Sequence, residues 1–249
     1  MRLRDGTTVF YRAWLPTAPT DKAMLLFHRG HEHSGRLADV VATLRESLPD
    51  VAMFAWDARG HGRSEGDRGW APSFGCMVQD LDTFVRHIGD HYGFAIENTV
   101  ILAHSVGAVT ASTWVHDYAP RIRGLVLATP AFRVKLYVPF ALPGLRLMQW
   151  WKGGAKSFVK SYVKARMLTH DAEQARRYDQ DPLIARAIAV NILLGMDDAA
   201  RRVVADSGAI RVPTLMLSGG ADWVVRVSTQ RRFFAGLRSP QKKSKLFPG

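Results

Sequence analysis

The sequence contains one cysteine, Cys76, among its 249 residues, so an internal disulfide is excluded. This scarcity of cysteine is typical of proteins from a reducing compartment. The N-terminus lacks an apolar block of signal-peptide length, and no uninterrupted apolar run is long enough to cross a bilayer. Since 47% of the residues are hydrophobic, a buried core is within reach. We expect a cytoplasmic protein with a single domain, residues 1–249.

Acidic residues are in the minority, because 22 Asp and Glu face 34 Lys and Arg, which gives a formal charge of +12. A basic surface attracts anionic partners such as acidic lipid head groups or nucleic acid. The simplest interpretation is a basic surface with no particular partner. The basic residues are scattered and no nucleic-acid-binding motif is found, so we expect no nucleic acid partner. Peripheral contact with an anionic membrane stays open.

Short apolar runs alternate with segments of helical periodicity along much of the chain. The predicted strands are 7–15, 23–28, 51–57, 99–104, 123–129, 213–219 and a final strand at the last residues. The predicted helices are 36–48, 74–91, 106–118 and 227–237. Strands that alternate with helices predict a mostly parallel sheet with helices on both faces.

This alternation stops between about residues 131 and 206. The segment is mostly helical in pattern and rich in Lys, Arg and aromatic residues. We interpret it as an insertion lying over the sheet edge, which leaves 1–130 and 207–249 as the core. Its aromatic residues include Phe132, Tyr137, Phe140, Trp150, Trp151 and Phe158. An amphipathic lid and an ordinary helical cap are both compatible with this composition.

The stretch "AHSVG", residues 103–107, joins a predicted strand to a predicted helix. Small residues two positions before and after Ser105 permit the tight turn known as the nucleophile elbow. Such a turn raises the serine oxygen above the sheet at the N-terminal end of the helix. Backbone N–H groups and the helix dipole there favour developing negative charge. A serine at this place can equally be a plain N-cap, so the motif alone leaves both roles open.

Two glycine- and histidine-rich segments precede this turn, each after a predicted strand. They are "LFHRGHEHSGR", residues 26–36, and "DARGHGRSEG", residues 57–66. With the serine turn, they resemble the motifs of the monoacylglycerol lipase and lysophospholipase group of α/β-hydrolases, also described as serine aminopeptidase-like. The three motifs occur in the order of that group, and the resemblance covers nearly the whole chain. It implies an α/β-hydrolase fold with a helical cap insertion, and cleavage of monoacylglycerol- or lysophospholipid-like esters through an acyl-enzyme.

The resemblance also implies roles for individual residues. Ser105 matches the nucleophile, Asp222 matches the triad acid, and the backbone N–H groups of Gly30 and Val106 match the oxyanion hole. Residues expected to shape the site without reacting are His28, Arg29, His31, His61 and His104. Arg29 and His31 stand where the group usually has glycine, so either could narrow or recharge the pocket mouth. The resemblance implies no metal and no cofactor.

The general base is the part of the triad that the sequence does not supply in the usual place. In this fold the triad follows the order Ser, Asp, His, and no histidine follows Asp222. Relatives carry it just after the final strand. We therefore expect the base and the last helix of the fold to lie beyond residue 249, and the 249-residue chain to be impaired alone. We do not expect His28, His33, His104 or His170 to substitute.

Parts of the sequence also bear on three alternatives to a serine hydrolase. His28, His31 and His33 have a spacing that can bind zinc, but the tighter order typical of metallo-hydrolase loops is missing. The stretch "GHGRSEG" has one residue too many for a dinucleotide-binding loop. A non-catalytic, lipid-binding relative of the hydrolases stays open.

Overall fold

The structure, a computed structural model, describes residues 1–135, 141–151, 156–161 and 163–248. Within these ranges its strands are β1 (Tyr11–Trp14), β2 (Ala23–Phe27), β3 (Ala52–Trp56), β4 (Thr99–His104), β5 (Gly124–Ala128), β6 (Phe158–Lys160), β7 (Ala187–Ala189), β8 (Thr214–Gly219) and β9 (Lys242–Phe247). Seven of them form one sheet in the order β1-β3-β2-β4-β5-β8-β9. Only the edge strand β1 runs antiparallel to its neighbour, and the other pairs of this sheet are parallel.

The α-helices of the described ranges connect these strands. They are α1 (Ala38–Ser47), α2 (Phe74–Tyr92), α3 (Val106–Tyr118), α4 (Ala141–Trp151), α5 (Ala172–Gln180), α6 (Val190–Ala205) and α7 (Val227–Gly236). Helix α2 begins where Ser73 Oγ accepts a hydrogen bond from the Cys76 N–H, and it ends at Gly93, whose φ is 78°. A serine N-cap and a left-handed glycine are the ordinary start and stop signals of a helix.

The two faces of the sheet carry separate cores. Successive residues of a strand point to opposite faces, and β2 and β3 are fully buried on both. Leu26 and Met53 pack with Val41 of α1 on one face. Leu25 and Phe54 pack on the other face, in the cluster that α2, α3 and α6 complete. The predicted mostly parallel sheet with helices on both faces is therefore confirmed.

The segment between β5 and β8 contains α4, α5, α6 and a small antiparallel sheet formed by β6 and β7. That small sheet was not predicted from the sequence. Ile192, Met196 and Val203 of α6 belong to the same core cluster as α2 and α3, so this helix is part of the main helical layer. The division of the chain into a core and an insertion at 131 and 206 stays a prediction. Tyr137 and Phe140 lie outside the described residues.

The edge strand β9 is exposed along its whole length and pairs with β8 on one side. In the part of the chain that the structure describes, no helix is long and apolar enough to cross a membrane.

Candidate active site

Ser105 lies in a strained turn between β4 and α3. Its backbone has φ 53° and ψ −111°, a combination that residues other than glycine rarely adopt. Such a conformation costs about 1–3 kcal/mol and persists only where the surroundings fix it. Here the Ser105 N–H donates to the Ala128 carbonyl at 2.9 Å, and the Ser105 carbonyl accepts from the Ala131 N–H at 3.1 Å. The end of β5 therefore holds the turn.

The small residues that flank Ser105 are required by packing. Ala103 is completely buried between its register partners Phe27 on β2 and Leu127 on β5. A Cβ atom at Gly107 would lie 2.5 Å from the His28 carbonyl oxygen, closer than real Cβ contacts allow. Only glycine therefore permits the first turn of α3 to approach the end of β2 this closely.

Gly30 and Val106, the predicted oxyanion-hole residues, contact each other. A Cβ atom at Gly30 would lie 2.8 Å from Val106 Cγ2, so the loop after β2 passes directly over the start of α3. Val106 is the first residue of α3, and its N–H has no acceptor within the helix. The Gly30 N–H donates no hydrogen bond to any described residue. Two backbone donors without partners are thus available beside Ser105, although their role as an oxyanion hole stays a prediction.

Ser105 and Asp222 line the same cavity, which has a volume of about 320 Å³. Its polar wall also includes Arg29, His104, Arg166 and His170. Its apolar wall includes Met167, Leu168, Val224, Val225 and Phe247. The cavity therefore combines a serine hydroxyl and a carboxylate with apolar surface and cationic groups.

Asp222 follows β8 in a tight turn. Its Oδ1 accepts hydrogen bonds from the Val224 N–H at 2.7 Å and from the Val225 N–H at 2.9 Å. Lys135 Nζ donates to the Asp222 carbonyl at 2.5 Å. The second carboxylate oxygen accepts no hydrogen bond from the described residues, so it is available to orient another group.

The loops after β2 and β3 are joined by buried polar groups. His28 Nδ1–H donates to the Arg29 carbonyl at 2.8 Å, and His28 Nε2 accepts from the Ala58 N–H at 3.0 Å. Asp57 accepts from the Ser34 N–H at 2.6 Å. Since His28 uses one nitrogen as a donor and the other as an acceptor, its imidazole is neutral. Burial also lowers its pKa.

His61 lies against His28, with ring centroids 5.3 Å apart. Its Nδ1–H donates to the Arg59 carbonyl at 2.9 Å. Burial, assisted by His28, lowers the pKa of His61 to about 4. Burial lowers the pKa of His104, which lines the cavity next to Ser105, to about 4 as well. Both rings are therefore neutral at physiological pH.

Arg29 and His31 stand where the monoacylglycerol lipase and lysophospholipase group usually has glycine. Both contact the segment between β5 and β8. The Arg29 guanidinium pairs with Glu32 at 2.7 Å and lies 5.6 Å from the ring centroid of Tyr178. The His31 carbonyl accepts from the Ala185 N–H at 2.9 Å, and burial lowers the pKa of the His31 ring to about 4. These two residues thus join the segment between β5 and β8 to the loop that carries Gly30.

The hydrogen bonds of the histidine ring nitrogens bear on the zinc alternative. Both His28 nitrogens are used by backbone groups, while His33 accepts from the Gly35 N–H at 3.1 Å and donates to Asp181 at 2.9 Å. Among the described residues, no three His, Cys, Asp or Glu side chains are grouped so that they could hold a metal ion.

Sequence reasoning missed two residues of the cavity. His170 was set aside as part of the insertion, yet it lines the cavity together with Ser105 and Asp222. Arg166, from the same segment, was not singled out. Phe247 and Pro248 bring the C-terminal end of β9 to this cavity as well. The positions of His170 and Arg166 depend on how the insertion folds back, for which the sequence carries no local signal.

The sheet order and the serine turn at the end of a parallel strand define an α/β-hydrolase. A family described as serine aminopeptidase, S33, matches residues 18–249. The chain therefore belongs to this family, and it is an α/β-hydrolase of the monoacylglycerol lipase type by family and fold.

Individual relatives agree with this assignment. The protein YnbC of Escherichia coli K12 is 51% identical over 246 residues, which cover 98% of this chain and 41% of YnbC. The chain thus spans less than half the length of that relative. Human monoglyceride lipase is 26% identical over 98% of this chain and 80% of the human protein. The crystal structure of Paleococcus ferrophilus monoacylglycerol lipase has a TM-score of 0.85 at 23% identity, covering 97% of this chain and 89% of its own.

The buried, neutral His61 predicts a loss of stability in mild acid. Its pKa is about 4 in the folded protein and about 6.5 in the unfolded chain, so between these values only the unfolded chain binds the proton. The free energy of unfolding should therefore fall as the pH falls. His61→Gln should remove about 1 to 2 kcal/mol of the decrease between about pH 7 and pH 5. Urea unfolding at these pH values measures it, and an equal decrease in both proteins would contradict the assignment.

Proposed function

We propose that the protein cleaves carboxylic esters through an acyl-enzyme, with Ser105 as the nucleophile. One observation carries the proposal: the strained turn presents Ser105 to the same cavity as Asp222, beside the contact between Gly30 and Val106. A serine in this conformation is unnecessary for a plain N-cap, and Ser105 makes no side-chain capping bond.

The proposed reaction has two steps. Ser105 Oγ attacks the ester carbonyl while a base takes its proton, and the oxyanion accepts hydrogen bonds from the Gly30 and Val106 N–H groups. The base then gives the proton to the leaving alcohol, and a water molecule activated by the same base hydrolyses the acyl-enzyme. Asp222 would orient the base through its free oxygen. The resemblance predicts a histidine just after the final strand, and the end of β9 lies on the cavity at Phe247 and Pro248.

The cavity supports an acyl ester as substrate. Its apolar residues suit an acyl chain, and relatives of the chain are named monoglyceride lipases. Arg166 forms no ion pair with a described residue, so its guanidinium is available to a polar or anionic head group. We therefore propose monoacylglycerol- or lysophospholipid-like substrates, with Arg166 distinguishing neutral from anionic head groups.

Helix α4 supports peripheral contact with an anionic membrane. Leu147, Trp150 and Trp151 are 63%, 79% and 85% exposed, which is unusual for three large apolar side chains on one short helix. Tryptophan favours the boundary between water and lipid, and the net charge of +12 attracts acidic head groups. We propose that α4 rests on the cytoplasmic surface of such a membrane.

Replacement of Ser105 tests the class of reaction. In the protein as its gene encodes it, Ser105→Ala should lower hydrolysis of a short-chain ester by at least about a thousandfold, because the nucleophile is lost. A fluorophosphonate probe should label Ser105 in the unaltered protein. Ser47→Ala, which removes an exposed serine from α1, is the matched control and should change neither result. If no serine is labelled and Ser105→Ala changes nothing, the protein is instead a non-catalytic, lipid-binding relative.

Replacement of Arg166 tests the head-group preference. Arg166→Gln should raise KM for an anionic lysophospholipid about tenfold, which corresponds to the loss of one charge-assisted hydrogen bond. KM for a monoacylglycerol of the same chain length should change less than about twofold. Lys164→Gln is the control, because this exposed cation lies nearby without lining the cavity. Equal changes for both substrates would exclude a head-group contact.

The tryptophans of α4 test membrane contact. The double variant Trp150→Ser and Trp151→Ser should reduce the fraction of protein that floats with phosphatidylglycerol-containing vesicles by at least about fivefold. Each substitution removes the large apolar area of one indole ring. Tyr118→Ser, which removes an exposed aromatic residue from α3, should float like the unaltered protein. If the double variant also floats like the unaltered protein, α4 is not the contact.

A further inference from the structure

A second cavity, of about 530 Å³, shares no lining residue with the Ser105 cavity. Its cationic residues are Arg133, Arg201, Arg226 and Arg232. Arg133 comes from the loop after β5, Arg201 from α6, Arg226 from the position just before α7, and Arg232 from the middle of α7. No Asp or Glu is among the described residues that line it. We refer to it as the arginine cavity.

The positive charge of the arginine cavity is only partly neutralised. Asp197 pairs with Arg201 at 2.7 Å and lies 3.9 Å from both Arg133 and Arg146. Asp197 is therefore shared by two arginines of the cavity, Arg133 and Arg201, while Arg146, which does not line the cavity, also pairs with Asp198. Arg226 and Arg232 form no ion pair with any residue that the structure describes, so two cations face the cavity without a counter-charge. Their mutual repulsion would be relieved by a bound anion.

The backbone fixes the positions from which two of these arginine side chains extend, those of Arg133 and Arg226. The Arg226 N–H donates to the Arg133 carbonyl at 2.9 Å, next to an antiparallel bridge between Val134 and Val225. The Thr229 N–H donates to the Arg226 carbonyl at 3.2 Å. The arginines of two distant parts of the chain are thus held together by main-chain hydrogen bonds.

The remaining lining residues complete a site for a polar ligand. Ser228 and Thr229 contribute hydroxyl groups, which can donate to an oxyanion. Phe132 is 1% exposed and Val204 is 8% exposed, so the apolar part of the lining is firmly packed in the core.

We propose that the arginine cavity binds a phosphate group, carried by a soluble phosphomonoester or by a lipid. A guanidinium offers parallel N–H donors whose spacing matches two phosphate oxygens. Two unpaired arginines match the double negative charge of a phosphomonoester better than the single charge of a carboxylate. The site does not depend on the ester hydrolysis proposed for Ser105, since the two cavities are lined by different residues.

Calorimetric titration tests the proposal with three probes at constant ionic strength. The probes are inorganic phosphate, glycerol 3-phosphate, and vesicles with or without phosphatidic acid. We expect saturable binding of at least one of them. The double variant Arg226→Gln and Arg232→Gln should weaken it at least about tenfold, because two charge-assisted contacts are lost. Arg232→Gln alone should give a smaller loss, and this single change serves if the double variant folds poorly.

Arg231→Gln is the matched control, because Arg231 is an exposed arginine on the same helix that does not line the cavity. It should bind like the unaltered protein. Variant-dependent binding of the soluble probes assigns the site to a soluble phosphomonoester, and binding of phosphatidic acid vesicles alone assigns it to a lipid head group. Both outcomes support the proposal. No saturable binding of any probe, or an equal loss with Arg231→Gln, would overturn it in favour of a generally basic surface.

Discussion

The close approach between Gly107 and the His28 carbonyl is the contact on which the candidate site depends. It brings the first turn of α3 against the end of β2, directly after Ser105, whose backbone has a positive φ. The same approach carries the following loop over the helix, so that Gly30 meets Val106. This close approach and the hydrogen bonds between Ser105 and the end of β5 together keep the serine and the two free backbone donors next to one another.

A second set of contacts joins the loop after β2 to the segment between β5 and β8. Arg29, His31 and His33 all belong to the loop after β2, and each contacts a residue of the segment between β5 and β8. The departure from glycine at Arg29 thus has a structural consequence, because a glycine would offer no guanidinium to Tyr178, whereas His31 uses its carbonyl, which a glycine would offer as well. The loop after β2 thus contacts both the start of α3 and the segment between β5 and β8.

The parts of the fold that sequence reasoning predicted are those with a local signal. The predicted strands 23–28 and 51–57 were recognisable because the residues at 23–27 and 52–56 are all apolar, as strands buried on both faces require. Their predicted bounds extend one residue too far at the end of β2 and at both ends of β3. The serine turn was recognisable because its packing requires small residues at fixed positions. By contrast, β6 and β7 are three residues each and pair across a long stretch of chain. His170, Arg166 and the arginine cavity depend on such long-range contacts, which leave no pattern in neighbouring residues.

The lysines of β9 affect whether this strand can pair with a strand of a second copy of the chain. An exposed strand at the border of a sheet offers unpaired main-chain groups to any passing strand, and is therefore a starting point for aggregation. Lys242, Lys243 and Lys245 occupy half of this six-residue strand. A second copy docking edge to edge would have to bring its own lysines alongside them. Among the residues that the structure describes, these lysines thus disfavour pairing of β9 with the same strand of a second copy.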